Sequence, residues 1–326
     1  MRINSVQKSL QVCCLLLTIF FLFSCKDRNR SSASEDSTSK GTISISGAFA
    51  LYPMTVTWAE AYRILHPQVR IDISAGGAGK GMADVLSGTV DLGMFSREIM
   101  PAEKERGVWW IAVTKDAVLP TICSYNPLLK VLKTQGLTRS QFEKIFILQQ
   151  LTDWGIATDT NLRKNINVYT RSDACGAAAT WALYLGGMQE DLKGIGMFGD
   201  PALADAVKND PLGIGYNNTI YIYNLKTNKK YNGLEVIPID FNEDGKIDPD
   251  EDFYDSMDAV MEAISTGKYP SPPARELYLI AKGKPQNAIV IEFLQWVLTE
   301  GQEMVAEAGY VPLDTGRISS ELEKLN

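Results

Sequence analysis

The sequence predicts an α/β protein of two domains, each a mixed, mainly parallel sheet flanked by helices, with a ligand cleft between them. Three observations predict it. Short alternating apolar segments alternate with segments of helical spacing. Glycine or other small residues stand at the strand-to-helix junctions. The chain has 326 residues, and the 302 left after an N-terminal leader of 24 exceed what one domain usually holds.

The elements follow in order. Thr42–Gly47 alternates as a strand, and Pro53–Leu65 carries apolar residues at helical spacing (Val56, Trp58, Ala59, Tyr62, Leu65). Val69–Ile73 alternates again, and the turn Gly76-Gly77-Ala78-Gly79 opens a helix that runs through Leu86. Val90–Phe95 is the next strand. This βαβαβ rhythm calls for a mainly parallel sheet. A second α/β unit is expected to begin near Pro120 and to contain the strand Ile166–Thr170 and a helix starting at Cys175. The break Tyr269-Pro270-Ser271-Pro272-Pro273 precedes a strand, Leu277–Ala281, and a helix, Asn287–Leu298. The expected division is therefore 41–119 plus 276–326 for domain one and 120–275 for domain two.

The N-terminus sets the compartment. Arg2 and Lys8 precede an apolar run from Leu10 to Phe23, too short for an ordinary membrane span, which reads as a signal peptide over 1–24. Leu22-Phe23-Ser24-Cys25 resembles a bacterial lipobox, so Cys25 is the expected lipidation site, with acyl chains that anchor the protein to the cell-envelope membrane. Residues 25–40 are small and polar and read as a tether. Loss of Arg2 and Lys8 takes the formal charge from −7 to −9, which argues against nucleic acid as a partner. Of five cysteines only Cys123 and Cys175 remain in the body beyond Cys25, so this is no disulfide scaffold. The single histidine, His66 before Pro67, reads as a loop residue and leaves no His-rich metal site.

Three small-residue turns join a strand to a helix: Gly47–Leu51, Gly76–Gly81 and Asp173–Ala177. Helix N-termini carry unpaired N–H groups and the positive end of the dipole, and so attract anions. Arg171 precedes the third turn with a planar fork of donors suited to an oxyanion, and Asp173 is placed to hold that fork. Gly76–Gly81 lacks the Gly-Lys-Ser/Thr ending of a P-loop. With no general base beside Cys175 or Ser96, an enzyme is not expected. Cys175, at a helix start near an arginine, is expected to have a lowered pKa.

Together these segments resemble the phosphate-binding proteins of phosphate ABC transporters. The resemblance rests on Ser46–Pro53 with Trp58, Val90–Arg97, Leu137–Phe146 followed by Thr152-Asp153-Trp154, Val168–Asp173, Gly213–Tyr216 and Leu277–Pro285, and it spans Gly41 to about Leu313. It implies a type II periplasmic-binding fold, a monomer, and delivery of phosphate or a related oxyanion to an ABC permease. Position by position it implies ligand contacts at Ala50 and Leu51 through backbone N–H, at Ala78 and Gly79, at Ser96 with Arg97 beside it, at Arg171 buttressed by Asp173, and at Cys175, Gly176 and Ala177. Family hydroxyls are missing at Ala78, Cys175 and Ala177. This leaves a second reading, a surface sensing or interaction lipoprotein with a degenerate anion pocket.

A separate motif lies in the second domain. Residues 240–251 match the EF-hand calcium loop, with Asp240, Asn242, Asp244, Asp248 and Glu251 at positions one, three, five, nine and twelve. Gly245 stands at the sharp sixth position, Lys246 would offer its carbonyl at the seventh, and Ile247 fills the apolar eighth. A structural Ca²⁺ is the expected cofactor, with no organic one. The preceding Leu234–Ile239 reads as a strand, not the usual entering helix.

Overall fold

Ile43 and Ile45 point into the core from strand β1 (Gly41–Gly47), which pairs in parallel with β2 (Val69–Ala75) and β3 (Leu92–Phe95). The computed structural model describes residues 40–326, so the signal peptide, Cys25 and the tether up to residue 39 lie outside the described residues. Helices Tyr52–Leu65 and Ala78–Ser87 make the two crossovers. A nine-stranded sheet continues in the order β2-β1-β3-β11-β4-β7-β5-β6, with β10 also on β4. Here β4 is Val108–Cys123, β5 Asn167–Arg171, β6 Ile195–Met197, β7 Gly213–Asn218, β10 Leu234–Val236 and β11 Ala274–Lys282; Tyr223–Asn224 and Lys229–Lys230 (β8 and β9) form a separate hairpin.

The sheet is mixed in a particular way. Its parallel pairs lie at the two ends, β1 with β2 and β3, and β5 with β6 and β7. Its antiparallel pairs lie in the middle, where β11 joins β3 to β4 and β4 joins β7 and β10. The sequence places the start of the second unit near Pro120. Pro120 stands late in the 16-residue strand β4, opposite Tyr216. Proline cannot donate to a ladder, but its carbonyl still accepts from Ile237 N–H at 3.1 Å. The expected boundaries at 119/120 and 275/276 thus fall within β4 and β11. These two strands carry the chain between the halves of the sheet, within one compact unit, Ser39–Asn326. Strand β3 begins at Leu92, two residues later than expected, and the strand before the acidic loop is limited to Leu234–Val236.

Aromatic packing fixes the helix that opens at the third turn, Gly176–Leu185. Trp181 meets Phe142 and Phe146 edge-on, at 5.3 and 5.7 Å between centroids, and stacks on Tyr216 at 6.1 Å. Edge-to-face geometry lets the positive ring edge meet the negative face. Tyr216 in turn shares a 2.7 Å hydrogen bond with Thr170 and accepts Arg171 N–H at 3.2 Å, so the packing locks the end of β5. His66 is the C-cap of the Tyr52–Leu65 helix, half-buried and stacked on Tyr62 at 4.1 Å, more tightly held than a free loop residue. Among the described residues no helix is long and apolar enough to cross a membrane.

Candidate functional site

The three small-residue turns meet at one place. Gly77 has φ +90°, open to glycine at little cost, and a Cβ there would stand 2.7 Å from Asp173 Oδ2. A Cβ on Gly176 would stand 2.0 Å from Ser96 O and 2.2 Å from Ser96 Oγ. Gly79 N–H donates to Ala174 O at 3.0 Å across the same junction. Residues 47–51, 76–79 and 96 of one half therefore touch residues 171–177 of the other, and only glycine leaves room. The helices starting at Tyr52 and Ala78 have no side-chain cap, though Tyr52 N–H donates to Ala48 O at 3.2 Å, Pro53 has no N–H and Gly79 N–H is taken by Ala174 O.

Arg171 stands at this junction with its side chain wholly buried. Its Nε and one Nη2–H donate to the two carboxylate oxygens of Asp173, at 2.8 and 2.6 Å. One Nη1–H donates to Asp200 at 2.6 Å. A guanidinium has five N–H groups, so two remain. Burial alone would lower the Arg171 pKa, but the Asp200 and Asp173 carboxylates outweigh it and raise it, so the fork stays charged. The Phe49 ring covers the guanidinium, 5.7 Å away. Asp173 also accepts Gly199 N–H, and Gln189 braces the turn by donating to Asp173 O and accepting Cys175 N–H.

Sequence reasoning did not single out Asp200, Gln189 or Arg275 as site residues. Asp200 opens the helix that follows β6, on the turn Phe198-Gly199-Asp200-Pro201, a strand–glycine–helix junction like the other three. It accepts from Asn218 Nδ2 at 2.5 Å, and Asn218 Oδ1 accepts from Arg275, which is also paired to Asp116 at 2.8 and 3.1 Å and bonded to Thr180 at 3.1 Å. This buried network holds two guanidiniums and three carboxylates, so its formal balance is negative. An anion placed here would meet backbone dipoles and the remaining Arg171 donors, not a favourable net charge.

The other expected residues divide. Ala50, Leu51, Ala78 and Ala177 are buried at the turns and offer backbone only. Leu51 N–H leans on Ala48 O at 3.2 Å. Ser96 is buried against Gly176 at the junction of the turns. Arg97 is turned away: it pairs with both Glu103 oxygens, at 3.0 and 2.7 Å, and lies over Phe95.

The expectation of a lowered Cys175 pKa is overturned. The thiol is buried, and burial pushes it up to about 12; Arg171 opposes this, but Asp200 and Asp173 add to it. Cys175 Sγ serves instead as the cap of its helix, accepting Ala178 N–H at 3.3 Å. Iodoacetamide should therefore leave Cys175 of the folded protein unmodified at pH 8 and label it after urea unfolding, as read by mass spectrometry. Rapid labelling of the folded form would contradict this placement.

A family model for the PBP superfamily domain matches residues 32–300. The chain belongs to the PBP superfamily. Among its relatives, the phosphate-binding protein PstS of Bacillus subtilis is 24% identical over 300 residues, covering 91% of this chain and 89% of its own. PstS of Pseudomonas aeruginosa is 25% identical, with 84% and 83% covered. Among solved structures, an ABC-type phosphate transport receptor from Vibrio cholerae aligns with TM-score 0.61 and 18% identity, covering 83% of this chain and all of that one. That structure shares the fold of this PBP-superfamily chain, including the mixed sheet flanked by helices.

Proposed function

We propose that this PBP-superfamily chain is an extracytoplasmic receptor that binds inorganic phosphate and hands it to an ABC permease, anchored through lipid on Cys25. The observation that carries the reading is Arg171. It is a buried guanidinium with two N–H groups left over, set where uncapped helix starts converge. The relatives named PstS support phosphate over other oxyanions. Ser96 can donate to or accept from the ligand, which suits an anion that still carries a proton. Closure of the two halves would turn on β4 and β11, the expected domain crossovers.

Calorimetric titration with phosphate, sulfate and arsenate tests the reading. Phosphate and arsenate should bind and sulfate should not. Binding should be weaker than in relatives that keep their hydroxyls. The double variant Ala78→Ser/Ala177→Thr should then tighten phosphate by at least tenfold, since a hydrogen bond to a charged group contributes about 1.5–3 kcal/mol. Absence of heat with any oxyanion up to millimolar concentration would sink the reading. The lost hydroxyls would then mark a sensing or interaction lipoprotein with a degenerate pocket.

A further inference from the structure

The acidic loop 240–251 takes no part in the anion site. It lies between β10 and the Met257–Thr266 helix and closes on itself: Asp240 Oδ2 accepts Gly245 N–H at 2.9 Å, Asn242 Oδ1 accepts Asp244 N–H at 3.0 Å, and Asp244 Oδ1 accepts Lys246 N–H at 3.2 Å. Gly245 makes the sharp turn with φ +82°. Such turns alone say nothing about a ligand. Asp240 does. It is 2% exposed, its carboxylate is turned into the loop by the bond to Gly245, and its Oδ1 has no hydrogen-bond partner. A buried carboxylate oxygen left unpaired is costly unless a donor or a cation meets it.

No three Asp, Glu, His or Cys groups among the described residues stand as a ready metal cluster. At this loop the side chain of Lys246 stands between two of the carboxylates. Its ammonium lies 3.1 Å from Asp244 Oδ2 and also pairs with Asp248 Oδ1, while Glu251 accepts backbone N–H groups of Phe241, Asn242 and Asp248. A lysine thus bridges two carboxylates that a cation would need.

We infer that the loop binds one Ca²⁺, through Asp240, Asn242, Asp244, the Lys246 carbonyl, Asp248 and Glu251, and that the ion displaces the Lys246 ammonium. The ligands are all oxygens and include four carboxylates, the chemistry of a hard divalent ion. Calcium accepts such a flexible, many-oxygen shell, whereas magnesium demands a tight octahedron and keeps its waters. The loop is tied to the body by Ile247 N–H donating to Thr134 O at 2.9 Å and by the bridge between Leu137 and Ile239, so the bound ion would fasten the 134–137 segment to the acidic loop.

Calorimetry of the chelator-treated full chain with CaCl₂ should give one site with Kd of roughly 10⁻⁴–10⁻³ M, the range of extracellular calcium modules. The melting temperature should rise with calcium, and less with magnesium at equal concentration. Asp240→Asn and the half-buried Asp248→Asn should each weaken binding at least tenfold. Lys246→Met, which keeps the carbonyl and removes the competing ammonium, should bind calcium at least as tightly as the parent. The inference is overturned by absence of both heat and melting shift at millimolar calcium, by unchanged affinity in both carboxylate variants, or by loss of binding in Lys246→Met. None of these outcomes depends on phosphate.

Discussion

Arg171→Ala is expected to remove measurable phosphate binding and to destabilise the folded chain by about 3–5 kcal/mol, the usual cost of taking one partner from a buried ion pair. Both effects have one cause. The guanidinium is wholly enclosed and holds Asp173 and Asp200 at 2.6–2.8 Å. Its loss strips the site of its fork and leaves two carboxylates facing each other with little solvent. Arg171→Lys separates the two. It restores a charge against Asp200 but cannot span Asp173 and the ligand together. Stability should recover in part, while phosphate binding should not. Urea unfolding and calorimetry on the two variants read these quantities, and an unchanged phosphate affinity in Arg171→Ala would move the binding site elsewhere.

Arg275→Ala should destabilise by a similar margin, again about 3–5 kcal/mol, while reducing phosphate affinity less than Arg171→Ala does. Arg275 is 9% exposed and joins Asp116 on β4, Thr180 on the Gly176 helix and Asn218 on β7. It makes its bonds beside the strand crossover and not at the turns. Replacing the whole pair, as Arg275→Met with Asp116→Leu, should recover most of the stability, because well-packed apolar residues often replace a buried ion pair without loss. If Arg275→Ala were as stable as the parent in urea, the network would be a bystander.

Much of the site was legible because its residue types are unusual where they stand. An arginine directly after a strand, followed two residues later by an aspartate and then by small residues, pointed to Arg171, Asp173 and Gly176, and the structure brings them together. Asp200 escaped notice because an acidic residue at the start of a helix is ordinary dipole chemistry; that it reaches back to Arg171 is a matter of tertiary distance. Cys175 was misjudged for a related reason. Sequence shows a helix start and a nearby arginine, both of which lower a thiol pKa, but not the burial that outweighs them. Strand β4 is not among the expected strands, and Pro120 within it reads as a breaker. The chain tolerates it because the sheet asks only for the carbonyl there.

The contact between Gly79 and Ala174 has a consequence for how often the unliganded receptor is shut. Away from the strand crossover, the halves are clasped by that hydrogen bond, by Tyr221 O–H donating to Phe49 O at 2.9 Å, and by the Phe49 ring against Arg171 and Phe198. A hydrogen bond of this kind contributes about 0.5–1.5 kcal/mol. Driving a two-state equilibrium from 1:99 to 99:1 takes about 5.5 kcal/mol. The clasp therefore leaves room for open molecules, and the ligand supplies the decisive bias. What a permease would meet, on this view, is an occupancy gauge: the fraction of shut receptors reports how much anion surrounds the cell.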